Sequence, residues 1–229
     1  MQPTHERIIV SVGGSLIVPD DIAVDFLKKF KKLVLEKVRL GHSFAIIVGG
    51  GKTARHYQNA ASAISPLSPQ DLDWLGIHST RLNAQLLRNI FAGYAHPQVI
   101  HNPTIDIETD ESIIIAAGWQ PGFSTDYDAV LIAKNVGARR LVNLSNIDYV
   151  YAADPNKDPN AKKIEKIGWA DFRKLIPETW DPGLSSPFDP VAAKEAESLG
   201  LEVAIMNGNH VDEFSRYLDG KPFKGTVIS

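Results

Sequence analysis

Cysteine is absent from the 229 residues, which excludes disulfides, thiolate metal sites and a cysteine nucleophile. An excess of positive charge is absent too: 24 Lys and Arg stand against 27 Asp and Glu, for a formal charge of −3. Proteins that grip phosphate backbones cluster Lys and Arg, so nucleic acid is not expected as a main partner. The one basic run, Lys28-Lys29-Phe30-Lys31-Lys32, lies among Phe26, Leu27, Leu33 and Val34 at helical spacing and reads as a solvated helix face. No apolar run approaches the roughly 18 residues of a membrane span, and the opening MQPTHERIIVSV lacks the regions of a signal peptide. A cytoplasmic protein without a membrane partner is expected. The seven histidines are scattered with no i, i+4 pair, so they offer no metal-ligand spacing.

What is present is ordinary in amount, with 44% hydrophobic and 22% charged residues, and long enough for one large α/β domain or two small ones. The distinctive stretch is 44–57, FAIIVGGGKTARHY. An apolar run meets three glycines, and Lys52 and Arg55 follow at the start of a helical segment. Strand, glycine turn and helix make an anion-binding design, because glycine lets backbone approach a ligand and the helix start presents free N–H groups. A Walker loop is excluded, since Ile46 stands where that motif needs its first glycine. Gly49, Gly51 and Ala54 fit the dinucleotide fingerprint, but the acid that should follow, Asp71, is preceded by the Ser/Pro loop 64–69 and not by a strand. A tight turn that uses glycine for packing alone stays open beside the phosphate nest.

Along the chain, 7–12 reads as a buried strand ending at Gly13-Gly14-Ser15, and 22–40 as a helix ending at Gly41. Strand 44–48 and helix 52–63 follow. A second long helix spans 70–94, with Leu72, Leu75, Leu82, Leu86 and Ile90 expected inward. Asp73 near its start is either a helix-terminal acid or a ligand contact. Residues 98–101 and 112–116 are strand candidates. The loop 118–126 carries Trp119, Phe123, Ser124 and Thr125, which can hold an anion and a ring or serve as N-cap and core aromatics. Helix 127–136 leads to strand 140–145, whose end carries Ser145, Asn146 and Asp148. Ligands of parallel sheets collect at that edge. The rest reads as a turn-rich stretch 149–160, strand 162–167, helix 169–176, a flap 178–187, helix 189–199 with Asp189 as N-cap and Pro190 first, strand 201–206, helix 211–218 and strand 226–228. This alternation predicts a three-layer αβα sandwich around a mostly parallel sheet. A single domain over 1–229 is expected, its lobes dividing near residue 135.

Four strand ends thus carry glycine or hydroxyl groups, and a row of anion nests suits a phosphoryl donor and acceptor bound tail to tail. These segments resemble the amino-acid kinase superfamily, and within it uridylate (UMP) kinases of the archaeal type. The likeness rests on Ile9 to Ser15 (IVSVGGS), Val48-Gly49-Gly50-Gly51-Lys52 with Arg55, Asp73 before Leu75-Gly76-Ile77, Pro121 to Asp126 (PGFSTD), Asn146-Ile147-Asp148 with Tyr151-Ala152-Ala153-Asp154-Pro155, and Asp189-Pro190 before Ala192-Ala193-Lys194. The motifs run in order from about residue 7 to Thr226.

The resemblance implies the carbamate kinase-like fold, transfer of the ATP γ-phosphoryl group to UMP with Mg²⁺, and a homohexamer. It places Gly14, Ser15, Gly51 and Arg55 on ATP phosphates and Gly50 on the UMP phosphate. Asp73 would hold the UMP ribose, and Trp119, Gln120, Pro121, Gly122, Phe123, Ser124 and Thr125 would wrap UMP. Ser145, Asn146, Tyr151 and Asp154 would line the ATP nucleoside site, and Asp148 would organise the reacting groups or the metal. The acceptor lobe would be about 1–135 and the ATP lobe about 136–229. Three positions depart from the pattern: Ser11 stands where bacterial relatives carry a first-strand lysine, which the archaeal type also lacks, Tyr149 replaces a glycine, and Trp119-Gln120 replaces the usual small residue and its neighbour. Lys52 is the candidate for the missing charge. A storage or binding protein of this fold, akin to the molybdenum-storage proteins, a nucleotide-sensing regulator, and a kinase of another small acid are the alternatives the resemblance leaves.

Overall fold

β-branched and apolar residues with no internal glycine make Arg7–Val12 the first strand, β1, buried from Ile8 onward. The computed structural model describes residues 6–153, 158, 160–179 and 186–229. After Gly13 the chain turns at once into a one-turn helix, α1 (Gly14–Ile17), which the sequence did not announce. Helix α2 (Val24–Arg39) buries Leu27, Phe30, Leu33 and Val34 and leaves Lys28, Lys29 and Lys32 in solvent, the amphipathic division expected of it. It stops before Gly41, whose φ of 94° is the left-handed conformation that ends helices. Strand β2 (Ser43–Val48) and helix α3 (Gly51–Ile64) flank the triple glycine. Helix α4 (Pro69–Ile90) starts at a capping box in which Ser68 and Asp71 exchange hydrogen bonds.

Strand β3 (Ile113–Ala116), helix α5 (Thr125–Val136) and strand β4 (Arg140–Ser145) come next, and Gly137 with φ 66° closes α5. A two-stranded ribbon pairs β5 (Val150–Tyr151) with β6 (Lys163–Ile164). Then follow β7 (Lys166–Ile167), α6 (Trp169–Phe172), α7 (Pro190–Ser198), β8 (Glu202–Asn207), α8 (Val211–Leu218) and β9 (Thr226–Ile228).

The main sheet has seven strands in the order β3-β2-β1-β4-β8-β9-β7. All of its pairings are parallel except β8 with β9. Strand alternation sends Ile8, Val10 and Val12 to one face, where Phe30, Val34, Leu87 and Phe214 from α2, α4 and α8 cover them. Ile9 points to the other face with Ala45 and Ile47 of β2, against Ala129, Ala133, Ala192 and Ala196 of α5 and α7. Two cores on opposite faces of one sheet make the three-layer αβα sandwich. Each fully buried large apolar side chain contributes roughly 1.5–3 kcal/mol, so both layers are held firmly.

Four local expectations are corrected. The inward stripe of α4 is Ile77, Thr80, Ala84 and Leu87, with Asn83 also buried, whereas Leu82 is 64% exposed and Leu86 and Ile90 only flank the core. Residues 98–101 form no strand, only an isolated bridge from Ile100 to Ala116. The expected strand 162–167 is split between the ribbon and the main sheet. Helix 169–176 is the shorter Trp169–Phe172. The expected flap 178–187 falls largely outside the described residues.

Candidate active site

Because β1, β2, β3, β4 and β8 run parallel, their carboxyl ends share one edge, and the sheet order reverses between β1 and β4. Chains leave such a switch point in opposite directions and open a crevice. The glycine turns after β1 and β2 meet there. Gly13 N–H donates to Leu144 O at 2.8 Å and Gly49 N–H to Val12 O at 3.0 Å, so both turns are tied to neighbouring strands. A Cβ on Gly14 would lie 2.0 Å from Gly51 N, and one on Gly49 would lie 2.7 Å from Gly14 N. Only glycine permits this approach, and Gly51 also has φ 64°. The first turn of α3 has no side-chain cap, which suits an anion.

Lys52 pairs with Asp20 from the loop after α1, and its own N–H is taken by Val18 O. The expected compensating cation therefore stands at the loop but is not unengaged. Arg55 is exposed one turn further on. The loop is pinned from below by buried Asn83 of α4, whose Nδ2 donates to Gly49 O at 2.9 Å and Gly50 O at 3.2 Å. In the sequence Asn83, with Arg81, only punctuates the helix 70–94 and carries no site role; its signal was a polar residue set in the buried stripe of a long helix.

Helix α4 also reaches the loop 118–124. Asp73 accepts from Gly122 N–H at 3.0 Å, Thr80 Oγ1 from Gly118 N–H at 2.8 Å, and Arg81 Nη2 donates to Trp119 O at 3.0 Å. Asp73 is thus bonded to the backbone of the loop 118–124. Trp119, Gln120, Pro121, Phe123, Ser124 and Thr125 are all half-buried and Gly122 exposed, so the aromatics are not core. Trp119 packs on Phe123 with centroids 5.2 Å apart, and Phe123 stacks on Tyr127 at 5.3 Å. Ser124 caps α5 by accepting from Tyr127 N–H at 3.1 Å, which realises the N-cap alternative for that residue.

On the far side of the switch point, Ser145 Oγ accepts from Ile147 N–H at 3.3 Å, and Asn146 is exposed. Asp148 accepts from Asn207 Nδ2 at 2.8 Å; Asn207 ends β8 and was not singled out from sequence. Tyr151 is half-buried in the ribbon, and Lys163 lies over the Tyr149 ring at 4.7 Å. Asp154 lies outside the described residues.

Between the two sides sits a cluster that spacing could not reveal, since β1, α5, β4 and the N-cap of α7 contribute one residue each. Asp126 Oδ1 accepts from Ser11 Oγ at 3.2 Å and Asn143 Nδ2 at 3.4 Å, and its Oδ2 from Asp189 N–H at 3.3 Å. Burial and then the nearby Asp189 charge raise the Asp126 carboxyl to about 6. Burial raises Asp189 as well. Ser11 thus supplies a hydroxyl where a first-strand lysine would supply charge. The sequence signals were Ser11 and Asn143, polar residues near the ends of apolar strands. Among the described residues no group of three or more His, Cys, Asp or Glu is gathered that could hold a metal ion, and no helix is long and apolar enough to cross a membrane.

The arrangement offers two anion nests and an aromatic-walled loop along one crevice. Residues 6–207 match the family model for the amino acid kinase family. The chain is 36% identical to the uridylate kinase of Pyrococcus abyssi, with 97% of this chain and 99% of the relative covered. It is 40% identical to the uridylate kinase of Thermococcus onnurineus at the same coverage. The crystal structure of uridylate kinase from Archaeoglobus fulgidus superposes with a TM-score of 0.82 at 27% identity, over 97% of this chain and 99% of that one.

Proposed function

The chain belongs to the amino acid kinase family, and from that premise we propose that it is a uridylate kinase, an enzyme transferring the γ-phosphoryl group of ATP to UMP to give UDP for pyrimidine nucleotide synthesis. The observation that carries this is the back-to-back contact of Gly14 with Gly49 and Gly51 at the switch point, beside the loop 118–124. Two phosphate chains laid over the two glycine turns would meet end to end there.

Phosphoryl transfer asks the protein for in-line positioning and for positive charge around the transferring oxygens. Gly14, Ser15, Gly51 and Arg55 are assigned to the ATP phosphates and Gly50 to the UMP phosphate. Lys52 leaves the exposed Asp20 carboxylate to meet the transferring group. Asp73 holds the ribose of UMP, and the residues from Trp119 to Thr125 enclose the nucleotide. Ser145, Asn146 and Tyr151 receive the ATP nucleoside, with Asp154 assigned there by resemblance alone. Mg²⁺ is assigned to the substrate MgATP, since that ion keeps waters and phosphate oxygens and asks for only one or two carboxylates. Asp148 is the carboxylate for it on the ATP side.

The two lobes follow the same division, about 1–135 for UMP and about 136–229 for ATP, in a single domain. Exposed Tyr57, Ile64, Trp74 and Leu82 on α3 and α4 supply apolar surface for a homo-oligomer, taken as a hexamer, in the cytoplasm. A coupled ADP-release screen with UMP, CMP, dUMP and small carboxylic acids tests the assignment. UMP is expected to give the highest kcat/KM, and equal turnover of a small acid would oppose it.

A further inference from the structure

Asp128 is fully buried on α5, yet it is absent from the residues assigned to either nucleotide. Its Oδ2 accepts from Trp119 N–H at 3.0 Å, and its Oδ1 has no hydrogen-bond partner. A buried carboxyl with one donor is costly, and a fold keeps it where a position must be fixed. On the other side of the same residue, Arg81 Nη2 donates to Trp119 O at 3.0 Å. Its guanidinium carbon stands 5.7 Å from the Trp74 ring centroid, which holds it in place. An acid therefore grips the N–H of Trp119 and a base grips its carbonyl. With both backbone groups of one residue held by side-chain hydrogen bonds, the Arg81 one charge-assisted, the direction in which the indole leaves the loop is fixed as well.

We propose that Asp128 and Arg81 are positioning residues for the acceptor nucleotide, which together clamp the backbone of Trp119 and aim its indole along the Phe123 and Tyr127 rings as one wall of the acceptor site. This rests on the assignment of the loop 118–124 to UMP. It adds to that assignment the two residues that give the loop its shape, drawn from helices on opposite sides of it. The neighbouring bonds from Gly118 to Thr80 and from Gly122 to Asp73 tie down the flanks and leave Trp119 as the element the clamp controls.

The test compares Asp128→Ala, Asp128→Asn and Arg81→Met in the full chain. Loss of the hydrogen bond to Trp119 N–H is expected to raise the KM for UMP about tenfold in Asp128→Ala, with kcat and the KM for ATP within about threefold of wild type. Asp128→Asn keeps a carbonyl for the Trp119 N–H and is expected to restore KM. Hydrogen exchange at the Trp119 amide, followed by NMR without nucleotide, should quicken in Asp128→Ala and stay slow in Asp128→Asn. Should Asp128→Ala fail to fold, Arg81→Met, altered on the more accessible side, is expected to show the same rise in KM for UMP. Unchanged KM for UMP with an unchanged exchange rate would overturn the proposal, as would equal losses in both KM values and kcat. If wild type does not phosphorylate UMP, the assigned function falls, while the exchange comparison still decides the clamp.

Discussion

Gly14 and Gly51, the heads of two different helices, face each other so closely that a Cβ on Gly14 would overlap Gly51 N at 2.0 Å and one on Gly51 would reach Gly14 O at 2.3 Å. The two glycine turns are therefore one mechanical unit. Gly14→Ala should push the turns apart by an ångström or more and lower kcat/KM about 100-fold or beyond, since misplacement of that size is enough. Steady-state kinetics with both substrates checks this; retention of wild-type rate would show that the turns are not joined in the site.

Lys52 and Asp20 form a pair in which Asp20 is 76% exposed. Such pairs add no more than about 1 kcal/mol to stability. Asp20→Asn should leave the melting temperature nearly unchanged and lower the KM for ATP, because Lys52 no longer has to leave a carboxylate. Lys52→Ala should lower kcat about 100-fold if it neutralises the transferring group. Measuring the two variants side by side separates a charge that serves catalysis from one that serves the fold.

Asn83 holds the carbonyls of Gly49 and Gly50 from a buried position. Asn83→Leu would leave both without that donor and is expected to destabilise by about 1–3 kcal/mol. Urea unfolding reads that loss, and kcat/KM should fall with it because the loop is no longer pinned.

Asp128 gives a signed pH prediction. Burial holds its carboxyl at about 7 in the fold against a reference of 3.8. The folded chain then binds the proton more tightly than the unfolded one, so this group's contribution to stability is full below about 4 and lost as pH rises through 7, by at most about 4 kcal/mol. Asp128→Asn removes the dependence. Its melting temperature should exceed that of wild type at pH 8, with the gap closing towards pH 4. A gap that widens on acidification would contradict the account.

Local pattern carried most of the fold. The limits of β1, α8 and β9 follow directly from apolar runs and their bounding turns. Asp189 and Pro190 open α7 as a cap and first-turn proline do. The face of α4 was not legible in the same way, because its buried stripe mixes Ile77 and Leu87 with Thr80, Asn83 and Ala84 while Leu82 turns outward. Large apolar residues alone misplace such a stripe when polar ones are needed to hold loops. The glycine turns were visible, since glycine has few other reasons to recur at strand ends. The Ser11, Asp126, Asn143 and Asp189 cluster was not, because four elements bring one residue each and only the assembled sheet places them together.

Phosphoryl transfer to UMP is read by incubating the purified chain with [γ-³²P]ATP, Mg²⁺ and UMP and separating the nucleotides. Label is expected in the β-phosphate of UDP, with equimolar ADP, and its appearance is expected to be about 100-fold slower when Gly14→Ala replaces wild type. ADP formed without labelled UDP, or no turnover of UMP at all, would contradict that transfer.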